Sequence, residues 1–185
     1  MIAHALTILR NEIRRHLGET YGLADPANLV SLGNIAEGLA TDGIAREMLV
    51  LSVVNIRDDK SLRTMPRASI TLGEVLENPP VFLNFTLLVS ATHAQYTNAL
   101  LAVSQVLRYF QSQPVFTQHN VADASISTDA PPHAADQLVE FKFAVDIQSL
   151  SIEEVHHLWA SLGGKQYPFA VYQLRMLDLK FQAFV

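Results

Sequence analysis

The 185-residue chain contains no cysteine, which excludes disulfides, thiolate nucleophiles, iron–sulfur clusters and cysteine-based zinc sites together. Charge is scarce: 17% of residues are Asp, Glu, Lys or Arg, against about 25% in an average soluble protein. Thirteen basic and eighteen acidic residues give a net charge of −5 with no basic tract. Non-specific nucleic-acid binding and docking on an anionic membrane are therefore poor expectations. There is no G-x-S-x-G elbow, no S-x-x-K pair and no P-loop, since Gly163-Gly164-Lys165 follows a helical pattern and lacks the flanking Gly and Ser/Thr. No repeat, linker or composition break divides the chain, so residues 1–185 read as one domain.

What fills the space left by charge is apolar: 49% of residues are hydrophobic and mean hydropathy is +0.18. A chain this short keeps much of its surface, so some of that apolar area is expected to face another subunit. Residues 78–107 carry no charge, but Pro79, Pro80, Asn84, Thr86, Ser90 and His93 interrupt them well short of the ~20 apolar residues that a membrane span needs. At the start, MIAHALTILRNEIRRH places its charges after its apolar positions, the reverse of a secretory signal, and implies a cytoplasmic protein.

Ile2, Leu6, Leu9, Ile13 and Leu17 form one helical stripe, predicting a helix over 2–17 with Gly18 as its stop. Its other side, Arg10, Glu12, Arg14 and Arg15, reads as a solvated or subunit-facing rim. Residues 19–43 read as loop with a brief strand near 29–35. The run EMLVLSVVNI is apolar on both alternating faces, as in a strand covered on both sides. Arg57-Asp58-Asp59-Lys60-Ser61-Leu62-Arg63, closed by Pro66 and Arg67, reads as an exposed loop or hairpin tip. A second strand is predicted over 81–92, with Leu83, Phe85, Leu87 and Val89 on one face.

A second helix is expected from the spacing of Tyr96, Leu100, Val103, Leu107 and Phe110, ending before Pro114. Residues 118–136 have low hydrophobicity and two adjacent prolines, and read as a mobile loop or an insertion that orders on assembly. Val139, Phe141, Phe143, Val145 and Ile147 alternate with polar residues in a strand with one wet face. Ser151-Ile-Glu-Glu154 is a capping box opening a third helix that Gly163 and Gly164 end, and residues 169–181 alternate as a last strand. Long strands and few helices give an α+β class: a mixed, mainly antiparallel sheet packed with about three helices.

Candidate chemistry is thin. Glu153-Glu154-Val155-His156-His157 contains two overlapping Glu-x-x-His spacings of the di-iron type, but the two pairs lie about 100° apart around the helix and cannot serve one ion. No second such helix is present. His4, His16, His93, His119 and His133 are scattered singly. The competing enzymatic reading is a small-molecule-binding or metal-dependent α+β pocket near His93, Tyr96 and His119; a third is a peripheral membrane protein using residues 78–107. Trp159, Tyr167, Phe169 and Tyr172 read as packing of the last helix on the last strand.

Four segments, MIAHALTILRNEIRRHL, MLVLSVVNIRDDKSLR, NPPVFLNFTLLVSATHAQYTNALLAVSQVLRYFQSQPVF and LSIEEVHHLWASLGGKQYPFAVYQLRML, together resemble the tail-terminator, or cap, proteins of extracellular phage-tail-like contractile injection systems. The resemblance implies a non-enzymatic particle component with no cofactor or metal. It would form a homo-oligomeric, hexameric ring that closes tube and sheath at the baseplate-distal end, alongside a second cap protein if an additional C-terminal region found in some relatives is supplied separately. Arg57, Asp58, Asp59, Lys60, Arg63 and Arg67 are the expected assembly contacts, with the 118–136 segment ordering on docking.

Overall fold

The computed structural model describes residues 2–37, 46–58 and 83–180. Helix α1 spans Ile2–Tyr21, β1 Val30–Leu32, β2 Leu49–Asp58, β3 Leu83–Ala91, α2 Tyr96–Ser112, β4 Val115–Thr117, α3 Asp123–Ser127, β5 Glu140–Ile147, α4 Ile152–Ser161 and β6 Phe169–Lys180. The six strands form one sheet in the order β1-β2-β3-β6-β5-β4. Only β1 and β2 run parallel; the other neighbours are antiparallel. The class is α+β as the pattern predicted, with four α-helices among the described residues where about three were expected.

Side-chain alternation sorts the strands into two cores. On one face, Leu49 and Leu51 of β2, Phe85, Leu87 and Val89 of β3, Tyr172, Leu174 and Met176 of β6, and Phe141 and Phe143 of β5 are buried beneath α1 and α2. On the other, Val50, Leu88 and Val171 meet Trp159 of α4 and Ile35 of a short 3-10 turn. Trp159 stacks edge-on to Phe169 at 5.3 Å and lies 6.1 Å from Tyr167. Tyr172 does not join them: it faces the opposite core and meets Phe110 at 4.8 Å. The doubly covered reading of the second strand holds for Leu49 to Ser52, whereas Asn55 to Asp58 run out beyond both helical layers and are exposed.

Helix α1 continues one turn past Gly18. That glycine is buried inside the helix because a Cβ there would lie 3.1 Å from Pro26 Cβ. Termination falls to Gly22, whose φ of +64° is the left-handed conformation a helix end favours. The buried side of α2 is Ala99, Val103, Val106, Tyr109 and Phe110. The expected stripe is thus rotated, and Tyr96, Leu100 and Leu107 are left on a flank at 68%, 43% and 36% exposure. Small and β-branched residues at 99, 103 and 106 occupy the positions toward the sheet.

Both outer strands are three residues long and closed by side chains. Arg14 Nε donates to the outward carbonyl of Val30 at 2.9 Å, and Ser31 Oγ to that of Leu32 at 3.2 Å. At the other edge, Asn120 Nδ2 donates to Val115 O at 2.8 Å while its Oδ1 accepts from Thr117 N at 2.7 Å. Gln118 Oε1 accepts from Phe141 N at 3.1 Å, just past the end of β4. These bonds blunt the two short outer strands, while β2 runs on past the end of β1.

Phe143 is fully buried, stacked at 5.2 Å from Phe141 and 5.5 Å from Phe116. Phe143→Ala is expected to cost about 3–5 kcal/mol in a urea titration. Ile152→Ala, at a position 85% exposed, should stay within about 0.5 kcal/mol of the parent.

Candidate functional site

The polar side of α1 is turned inward. Glu12 is fully buried and accepts from Arg15 Nη2 at 2.8 Å, Tyr109 Oη at 2.9 Å and Ala122 N at 3.0 Å. His4 accepts from Leu138 N on Nδ1 at 2.7 Å, so the ring nitrogen Nε2, 2.9 Å from Ile126 O, carries the proton. Asn11 Nδ2 donates to Ser125 O and Thr128 O at 3.1 and 2.9 Å. Arg10, only 14% exposed, pairs with Asp129 at 2.6 Å.

These contacts correct two expectations. The Arg10, Glu12, Arg14, Arg15 side is no solvated rim, and the 118–136 segment is folded rather than mobile, containing α3 and a 3-10 turn at Ala134–Asp136. A segment with few apolar side chains cannot bury itself. Its backbone donors and acceptors are met by α1 instead.

Burial works to raise the Glu12 pKa, but hydrogen bonds from Arg15, Ser125, the Ala122 amide and Tyr109 outweigh it and hold the carboxyl below the usual range. Burial first, and the adjacent Glu12 charge second, push the Tyr109 hydroxyl well above its ordinary value. This cluster ties together three pieces of chain, α1, α2 and the start of α3, and its work is structural.

The remaining surface divides by chemistry. The half of the sheet that α4 leaves uncovered is polar: register places Arg57, Asn84 and Arg175 side by side, with Asn55, Thr86, Gln173 and Asp146 in the next row. Arg175 and Asp146 form an ion pair there, each about half exposed. Arg57 and Asp58 are exposed strand residues at the end of β2, not loop residues. Asp59, Lys60, Arg63 and Arg67 lie outside the described residues.

The other surface is α2, flanked by two grooves. One, of about 240 Å³, lies toward α1 and is lined by Leu17, Tyr21, Leu29, His93, Leu101 and Ala102 among others. The second, of about 290 Å³, lies toward the sheet and is lined by Leu107, Phe110, Gln111, Val145, Ile147 and Tyr172. Burial lowers the His93 pKa, opposed by Glu47, and pushes the Tyr172 hydroxyl up to about 12.

The enzymatic constellations do not assemble. His93 lines the first groove; Tyr96 projects from α2 at 68% exposure, and His119 is exposed beyond β4 beside Gln118. Glu154 closes the capping box on Ser151, while His156 and His157 are exposed. Among the described residues no group of three His, Asp or Glu is placed to hold a metal, and no helix is long and apolar enough to cross a membrane. The α2 flank was hidden from sequence reasoning because Leu100 and Leu107 fit an inward stripe as well as an outward one.

Among the described residues, the buried polar groups serve folding, and the exposed surface includes a polar sheet face and a flank of α2 carrying Tyr96, Leu100 and Leu107. The chain belongs to the Pvc16 N-terminal domain family, which it matches over residues 4–184. The family resemblance of the four quoted segments is thereby borne out. Among solved structures, it is similar to a chain described as the sheath/tube terminator, in the extended state, of the extracellular contractile injection system PVC, at 12% identity and a TM-score of 0.48. That alignment takes in 94% of this chain and 60% of the other, so this chain spans less than two thirds of the terminator's length. No curated protein matches the chain.

Because the folded-state pKa of Glu12 is depressed, its contribution to stability is full above the unfolded value of about 4.5 and is lost as pH falls through the folded value. The parent's melting temperature should therefore drop on acidification from pH 5 to pH 3. Glu12→Gln should be about 2 kcal/mol less stable at pH 7 and show a shallower acid limb. An unchanged acid limb in Glu12→Gln would contradict the assignment.

Proposed function

We propose that this chain is a structural subunit at the baseplate-distal end of a contractile injection particle, where it ends the growth of tube and sheath. Membership of the Pvc16 N-terminal domain family across residues 4–184 carries the reading. The absence of a gathered metal-binding cluster among the described residues is compatible with it. Tube and sheath subunits are the partners, and further copies of the same chain complete a ring of six. Assembly takes place in the cytoplasm, before any release of the particle.

The physical task is to stop an open polymer. Stacked rings meet head to tail through two unlike faces, and such a stack extends until a non-equivalent subunit occupies the end. A cap offers the last disc one complementary face and lacks the polymer's own docking surface on the other. The polar sheet face with Arg57, Arg175 and Asp146 suits the complementary role, together with the charged residues that follow in sequence, Asp58, Asp59, Lys60, Arg63 and Arg67. Mixed signs on a charge-poor surface fix orientation more than they add affinity.

Particles assembled without the chain should carry tails of uncontrolled length or ragged distal ends by electron microscopy; a normal length distribution would contradict the proposal. Replacing Asp58, Asp59, Lys60 and Arg63 together with alanine should leave the chain folded yet broaden tail length. Normal tails from that variant would remove the charged segment from the contact while leaving the terminator reading in place.

A further inference from the structure

We infer that His4 is a pH-sensitive latch: its neutral ring pins the stretch 130–138 to α1, and on taking up a proton it releases that stretch. The geometry of the ring carries this and is independent of the terminator reading. His4 is 1% exposed and both its nitrogens are engaged by backbone, Nε2 donating to Ile126 O at 2.9 Å and Nδ1 accepting from Leu138 N at 2.7 Å. Two contacts of opposite polarity define one protonation state. An imidazolium donates from both nitrogens, so a proton on Nδ1 sets its N–H against that of Leu138. The bond to Ile126 survives that step; the bond to Leu138 does not. A buried amide then loses its acceptor and the interior gains a charge, which favours the opened arrangement.

The stretch is built to open from its far end. Its backbone bonds close locally, Asp136 N on His133 O and Gln137 N on Ala134 O at 3.0 Å each, and Gln137 Nε2 donates to Pro131 O at 2.8 Å. Pro132 to Asp136 are exposed. Leu138 is held by its buried side chain and by the amide bond to His4. The near end has fastenings that contain no imidazole: Asn11 Nδ2 donates to Ser125 O and Thr128 O, and Arg10 pairs with Asp129. Acid therefore frees 130–138 and leaves α3 docked on α1.

The charged or titratable side chains on the elements that meet the ring are Arg10 and Glu12 of α1, Asp123 and Asp129 in and after α3, and His133, Asp136 and Glu140 on either side of Leu138. Arg10 and Asp129 pair with each other, Glu12 is engaged with Arg15, Tyr109 and Ala122, and Asp136 and Glu140 have partners of their own. His16, also on α1, lies about 18 Å along the helix and stacks on Tyr109, so its titration bears on a different contact. An imidazole in water takes up its proton near pH 6.5 and a carboxyl near pH 4. The latch and the Glu12 cluster therefore act in separate windows: the His4 contact is whole in neutral solution and is lost as pH falls through the histidine range.

Amide hydrogen exchange followed by NMR on the full chain at pH 7.5 and pH 5.5 reads this directly, with protection factors removing the intrinsic pH dependence of exchange. The protection factor of Leu138 should fall at least tenfold at pH 5.5 while that of Leu88, buried in β3, is unchanged. Over the same range the ring nitrogens of His4 should pass from the neutral Nε2–H pattern to that of the imidazolium. His4→Asn puts a non-titrating acceptor near the Nδ1 position and should abolish the step, whereas His133→Ala should keep it. Should His4→Asn fail to fold, the ring shifts and the Leu138 protection of the parent decide alone. A Leu138 protection factor that is flat with pH, ring protonation with Leu138 still protected, or a loss shared equally by Leu88 would overturn the inference. So would a step that survives in His4→Asn or vanishes in His133→Ala.

Discussion

A buried carboxylate organises this fold. Glu12 sits in the middle of α1 and joins α1 to α2 through Tyr109, to the start of α3 through the Ala122 amide, and to its own helix through Arg15. An unpaired charge in that position would be costly, so the surrounding donors are an obligation and fix where the neighbouring segments lie. His4 and Asn11 extend the same logic along the helix, and together the three side chains hold a stretch that lacks the apolar residues to hold itself.

With that stretch fixed, the sheet is free to specialise. One face packs against α1 and α2 except at the exposed end of β2, the other is half covered by α4, and side chains bond the outer groups of the short strands β1 and β4. The surface left over is therefore not random. A polar sheet face and a helix with a single charge, Arg108, lie on different sides of the molecule.

Much of this was legible in the residues. Period-two alternation announced β3, β5 and β6, and the capping box of Ser151 and Glu154 announced α4, because each signal is local and complete within a few residues. The family was legible through four segments spread along the chain. What stayed hidden depends on distance in sequence: Glu12 meets Tyr109 and Ala122 across 97 and 110 residues, so its burial leaves no trace in the pattern of α1. The same separation explains why α3, whose backbone is held by α1, read as part of a mobile loop. Rotation of α2 was missed for a different reason, since leucine at 100 and 107 satisfies an apolar stripe whether or not the sheet reaches it. The charged residues 59, 60, 63 and 67 fall outside the described part of the chain, and only Arg57 and Asp58 have a placement, at the end of β2.

The central claim is that this chain occupies one end of a tubular particle and no other place in it. The most direct test is cryo-electron microscopy of assembled particles in which the chain carries a density tag. The account predicts a single ring of tag density at the end distal to the baseplate of every complete tail. Tag density along the sheath, at the baseplate or absent from finished particles would contradict it.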